Sequence, residues 1–294
     1  MPESERINLR FTGDYSLTES VTLAASAAFV EPLRVLENRA VLDLAFALEG
    51  SWNTVGVRVE QQGGKVHAQV LANPGAATTA DVCAQLERML CLDVDGAGFA
   101  SVAARDAVVA GLAARHPGLR PVLFPSLYEA AARAIIGQGL PVRQAAVVSA
   151  RIAKAYGVHV TIGERSMHAF PAPDRLAELK PVAGMAGRKV EHLRTLGAAA
   201  VDGRFSSSQL RAVGRDEALE RLQTLPGIGP FSAELILLRG VGDSDAFPQT
   251  ELRLHRAMAS AYQLGDTPNL ATLERIAEGW RPYRSWVGLL LRNF

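Results

Sequence analysis

Cysteine is nearly absent: Cys83 and Cys91 are the only two in 294 residues. That is too few for a disulfide framework or a four-thiolate metal site, and reduced thiols in a cytoplasmic compartment are expected. Long apolar runs are missing too. Stretches such as Ala24 to Val30 and Val287 to Leu291 fall far short of the ~18 residues that a membrane span requires. The opening MPESERINLR carries two acids and no apolar segment, so no secretion signal is expected. The six histidines (His67, His116, His159, His168, His192 and His255) show no metal-ligand spacing. Net charge is scarce as well, only +1, which taken alone argues against a nucleic-acid partner. What remains is a chain 48% hydrophobic and 21% charged. It is too apolar for intrinsic disorder, and long enough for one large domain or two to three small ones.

The near-neutral total conceals two unlike halves. Residues 1–124 hold 10 basic and 14 acidic side chains, a net −4, whereas residues 125–294 hold 21 and 16, a net +5. Most of the basic residues are arginine, whose fork suits phosphate and carboxylate. The periodicity divides similarly. Apolar residues alternate at Leu42, Leu44, Phe46 and Leu48, at Val55, Val57 and Val59, and at Val66, Ala68 and Val70. The last two runs flank Gln61-Gln62-Gly63-Gly64, a hairpin turn. A further strand is expected at 7–11, with helices at 18–29, 79–92 and 99–114. Cys83 and Cys91 read as buried thiols on one of them. The expectation is a small antiparallel sheet with helices on one face. After Pro117 the strand signal largely fades. Helical periodicity fits 126–137, 141–156, 174–180, 188–200, 215–224, 230–240, 251–262, 270–278 and 283–292. The fold class is therefore α+β, with an N-terminal sheet domain over 1–116 and an all-α region over 117–294.

The most informative segment is Leu225-Pro226-Gly227-Ile228-Gly229-Pro230-Phe231-Ser232-Ala233, between two helical patterns. Its glycines permit positive φ and close backbone approach, and the following helix start offers free N–H groups to an anion. A phosphate could be held here without a formal charge, although the same spacing suits an ordinary inter-helix turn. Downstream, Asp245 to Glu251 places a carboxylate near a helix start, 22 residues beyond Gly229. Facing a backbone-gripping hairpin, such a carboxylate could stabilise an oxocarbenium-like sugar. It would equally serve as a first-turn helix acid. His255, four residues on, shares its helical face, and Thr250 and Ser232 suit helix caps. Trp280 and Trp286 are expected core anchors.

These segments together resemble the helix–hairpin–helix DNA glycosylases, in particular the 3-methyladenine DNA glycosylase II (AlkA-like) branch. The likeness rests on Ala134-Ile135-Ile136-Gly137-Gln138, on 225–233, on Asp245 to Glu251 and on Trp280 to Ser285. Phe170 to Leu176, Gly184-Met185 and Arg188-Lys189 fit the family's linker, so order and spacing agree over roughly 117–292. The resemblance implies two helical subdomains flanking a cleft. It also implies monofunctional removal of an alkylated or otherwise damaged base from double-stranded DNA after base flipping. The expected partner is such a duplex, bound by a monomer in the cytoplasm at a bacterial nucleoid. No cofactor is expected beyond a monovalent cation on the main-chain carbonyls of Gln223, Leu225 and Ile228.

Residue by residue, the resemblance implies Glu251 as the essential carboxylate and DNA contacts from Gln138, Gly139, Leu140, Pro226, Gly227, Ile228, Gly229 and Ser232. The base pocket would use Phe231, Leu235 and Arg292. Several positions depart from the family pattern. Glu251 stands where the family has aspartate, and Leu235 and Arg292 stand where the nearest pattern has aromatics. Gly139 occupies the place of the groove-inserting leucine, and neighbouring Leu140 could serve as the wedge after a small loop change. Phe231 stands where bifunctional relatives carry their Schiff-base lysine. An arginine facing a cationic base would repel it unless it points away or pairs with Glu251. A lesion-binding protein with weak or no catalysis is the alternative those departures leave open.

Overall fold

The computed structural model describes residues 6–26, 34–36, 39–203, 205–265 and 268–293. Five antiparallel strands, β1 (Arg6–Leu9), β2 (Arg34–Leu36), β3 (Arg39–Ala47), β4 (Thr54–Gln62) and β5 (Lys65–Ala72), form one sheet in the order β1-β5-β4-β3-β2. The expected turn is present, with Gly63 and Gly64 both at positive φ, the conformation a two-residue hairpin demands. Register places Leu42 opposite Val59, Leu44 opposite Val57 and Phe46 opposite Val55. These residues share a buried core with Leu17 and Val21 of α1 (Leu17–Ser26) and Val82 and Leu86 of α2 (Thr79–Met89). The last residues of the helix expected over 18–29 lie outside the described residues. Cys91 falls just past α2 and is buried as expected, whereas Cys83 is only half-buried.

The other sheet face is covered as well, by an element the helical reading of 117–294 omits. A hairpin of β6 (His159–Ile162) and β7 (Arg165–His168) interrupts the helices and lies against β3, β4 and β5. Gly56 makes room for it: a Cβ there would sit 3.1 Å from Ile162. Asp43, its side chain wholly buried, meets Arg58 at 2.8 Å and Arg165 at 3.7 Å, and also binds Arg34. Three guanidiniums thus compensate one buried carboxylate and join the hairpin to the sheet.

The remaining elements are helical: α3 (Phe99–Arg105), α4 (Ala107–Arg115), α5 (Leu127–Gly137), α6 (Val142–Tyr156), α7 (Pro173–Ala177), α8 (Gly187–Val201), α9 (Ser207–Arg211) and α10 (Arg215–Gln223). Then follow α11 (Pro230–Ile236), a π-helical turn (Leu237–Val241), α12 (Leu252–Ala261), α13 (Leu270–Glu278) and α14 (Arg284–Asn293). No helix among the described residues is long and apolar enough to cross a membrane.

Two helical cores result. One gathers α5, α6, α8, α10 and α11 around Leu127, Ile135, Leu193 and Ile236. The second packs Leu254, Trp280 and Trp286 against Val102, Val109 and Leu112 of α3 and α4. The boundary expected at 116/117 is therefore not a boundary between cores, because α3 and α4 need the C-terminal helices to cover their apolar faces. Arg88 adds a polar tie, donating to the carbonyls of Gly240 (2.7 Å), Phe124 (3.3 Å) and Pro125.

Candidate active site and nucleic-acid interface

Glu251 is the N-cap of α12. Its Oε1 accepts the Arg253 N–H at 3.1 Å, and its Oε2 lies 3.3 Å from Arg292 Nη1 on α14. The turn before it is held from α11: Glu234 accepts the N–H groups of Gln249 (3.0 Å) and Thr250 (2.9 Å) and the Thr250 hydroxyl. Thr250 thus serves this anchor, and the cap role suggested for it belongs to Glu251. A cavity of about 60 Å³ opens here, lined by Phe231, Leu235, Leu238, Arg239, Glu251 and Arg292 among others. Phe231, Leu235, Glu251 and Arg292 also line a wider cleft of about 700 Å³ that reaches Gly137 to Leu140 and Val142. Arg239 is buried, and desolvation with nearby Arg292 pushes its guanidinium down to about 10. It remains a cation at neutral pH.

The hairpin is built as its glycines suggest. Gly227 sits at φ +85°, where a Cβ would lie 2.3 Å from His192 Nδ1, so only glycine fits. Ile228 is buried in the helical core, Leu225 accepts its N–H at 3.1 Å, and Gly229 and Pro230 open α11. Pro226 and Gly229 are exposed, while Ser232 is buried at the cleft wall. Gln138 donates its amide to the Gly227 carbonyl, and Lys189 donates to the Ile136 carbonyl at 2.9 Å. The end of α5 is thereby fastened to the hairpin across α8. Carbonyls such as Leu225 O keep a second lone pair, and hard oxygen donors of this kind suit an alkali cation. No His, Cys, Asp or Glu cluster able to hold a metal occurs among the described residues.

The structure thus brings together Glu251, Phe231, Leu235 and Arg292, and places Gln138, Gly139 and Ser232 on the same cleft, whereas Pro226, Gly227, Ile228 and Gly229 lie off its lining and join it through the Gln138 amide on the Gly227 carbonyl. Leu140 is different: it is half-buried against the helical core, so in this conformation it does not project as a wedge. The projecting apolar group of that loop is Val142, 52% exposed at the start of α6. His255 turns away, stacked on Phe247 at 6.2 Å between centroids. Glu234 and Arg239 escaped sequence reasoning. Glu234 lies 15 and 16 residues from the two residues it anchors, and Arg239 at the end of an apolar helix reads as a cation suited to the dipole.

No protein-family model matches the sequence. Among curated proteins, the chain is 33% identical over 207 residues to a probable bifunctional transcriptional activator/DNA repair enzyme AlkA of Mycobacterium tuberculosis, covering 69% of this chain and 40% of that protein. It is 35% identical over 179 residues to DNA-3-methyladenine glycosylase 2 of Escherichia coli, covering 60% of each. The chain therefore spans less than two thirds of the length of these relatives. Among solved structures, a 3-methyladenine DNA-glycosylase from Archaeoglobus fulgidus superimposes with a TM-score of 0.77 at 21% identity, covering 98% of this chain and 96% of that one. An 8-oxoguanine glycosylase/lyase from Clostridium acetobutylicum gives 0.70 at 17%, covering 99% and 95%. The architecture is that of the solved helix–hairpin–helix DNA glycosylases. Among them, the chain resembles 3-methyladenine DNA glycosylase II.

Proposed function

We propose that the protein is a monofunctional base-excision repair glycosylase that hydrolyses the N-glycosidic bond of an alkylated or otherwise damaged base flipped out of double-stranded DNA. The observation that carries this reading is the Glu251 carboxylate, fixed by a helix cap and an anchored turn on the wall of a cavity shared with Phe231. The names of the relatives agree with it and lend nothing to the lesion-binding alternative.

In the proposed reaction, the N–H groups at the start of α11 and around Gly227 and Gly229 hold a backbone phosphate. The loop from Gln138 to Val142 fills the space the extruded nucleotide leaves. The C1′–N bond breaks with its electron pair leaving on the base, and Glu251 stabilises the cationic sugar. Water then adds to C1′ and releases a proton. With Phe231 in place of a lysine, no amine is available there for a Schiff base, so the DNA strand stays intact. A monovalent cation on the carbonyls of Gln223, Leu225 and Ile228 would stiffen the hairpin. The proposed setting is the cytoplasm, at the nucleoid of a bacterium, with the protein acting as a monomer.

Glu251→Gln tests the assignment. Base release from methylated duplex is expected to vanish while duplex affinity stays within about twofold, as for an interaction made chiefly in the transition state. Equal release by the variant and the parent protein would remove Glu251 from the chemistry.

A further inference from the structure

The cavity beside Glu251 is lined by four charged side chains, Glu234, Arg239, Glu251 and Arg292. The two carboxylates are already engaged. Glu234 spends both oxygens on Gln249 and Thr250, and Glu251 accepts from Arg253 and Arg292. Arg292 gives Glu251 one of the five N–H donors a guanidinium carries. Arg292 has one hydrogen bond among the described residues, from Nη1 to Glu251, and buried Arg239 is held low by desolvation and by Arg292 itself. Among the described residues that line the cavity, aromatic surface, which would favour a cationic ring, is limited to Phe231, and that side chain is 49% exposed.

Resting on the glycosylase reading above, we infer that Arg292 selects a neutral damaged base carrying a ring carbonyl, as deamination or oxidation produces, over a cationic N-alkylpurine. A guanidinium has donors only, so it pairs with a carbonyl oxygen and leaves an exocyclic amine unsatisfied. Its pairing with Glu251 offsets its repulsion of a cationic ring, so the discrimination lies in the charge that develops on the leaving base. The chemistry follows the same preference. When the C1′–N bond of a neutral base breaks, the electron pair stays on the base, which departs as an anion with charge spread to its carbonyl oxygen. Arg292 stabilises that charge as it develops. The anion then takes up a proton, water adds to C1′ and another proton is released, so the sum is hydrolysis. An N-alkylpurine leaves as a neutral molecule and gains nothing from the arginine.

The test is base release from two duplexes, one carrying hypoxanthine and one carrying 7-methylguanine, each rate divided by that of spontaneous loss. The parent protein is expected to accelerate hypoxanthine release more. Arg292→Leu is expected to lower the ratio of the two accelerations by about tenfold or more, and Arg292→Lys to lower it less. A ratio is read because freeing Glu251 from its partner alters both rates together. A ratio that Arg292→Leu leaves unchanged, or moves toward hypoxanthine, overturns the inference alone. Release of neither base by the parent protein overturns the glycosylase reading, and the inference falls with it.

Discussion

Glu234 shows how a residue that need not touch substrate can govern one that does. Its carboxylate grips two backbone N–H groups and one hydroxyl in the turn directly before Glu251. Glutamate at position 251 reaches farther than the family's aspartate, and longer side chains have more rotamers to restrain. The cap to Arg253 and the pairing with Arg292 restrain it from two sides. Glu234→Ala should release the turn. On the rule that a misplacement of ~1 Å can cost roughly 100-fold, single-turnover base release is expected to fall by about 10- to 100-fold. The loss of stability is expected to be ~1–3 kcal/mol. Melting curves run beside the rate measurements separate the two effects; unchanged release would show that the turn holds itself. At this scale the resemblance named Glu251, Phe231, Leu235 and Arg292, and the four do line one cavity. Glu234 and Arg239 went unnamed, because their roles depend on distant chain brought beside them by folding.

Among the elements, the hairpin was the most readable and β6–β7 the least. Gly227 announces itself by residue type, but the ring behind it does not. His192 Nδ1 is buried beneath the hairpin without a hydrogen-bond partner among the described residues. Burial, with a smaller contribution from Arg188, holds the imidazole below its ordinary value. The folded protein therefore resists protonation, whereas the unfolded chain takes up a proton as pH falls through about 6.5. The stability this histidine contributes at neutral pH is lost as pH drops from there toward the lowered folded value, and stops changing below it. The melting temperature of the parent protein should accordingly fall more between pH 7 and pH 5 than that of His192→Gln. Parallel pH profiles for the two proteins would contradict this. The strands of β6–β7 are each four residues long, and β7 (RSMH) carries no alternation of apolar side chains. The hairpin is tied to the large sheet by Asp43 of β3 through Arg165, a contact that no local pattern reveals. Long amphipathic helices needed no such help, since a 3.6-residue period identifies them alone.

At the scale of the whole molecule, the +1 net charge sums an acidic sheet-bearing half and a basic helical half. The cores do not respect that division, as α3 and α4 from the acidic half complete the core beneath α14. The cations near the cleft are also largely committed within the protein. Arg133 is paired with Glu129 at 2.8 Å, Arg292 with Glu251, and Lys189 with carbonyls at the end of α5. Arg253, exposed at the rim, is the lining cation for which no ion pair occurs among the described residues. Backbone N–H groups that grip phosphate release few counterions, since they neutralise it only partially. Binding of undamaged duplex is therefore expected to weaken gently with salt, with log K against log salt sloping about −3 or less steeply, roughly three neutralised phosphates. A titration between low and physiological salt measures this directly. A slope of about −6 or steeper would mean that side-chain charge, rather than the hairpin backbone, holds the DNA. The basic half would then be the interface, and the hairpin a turn between helices.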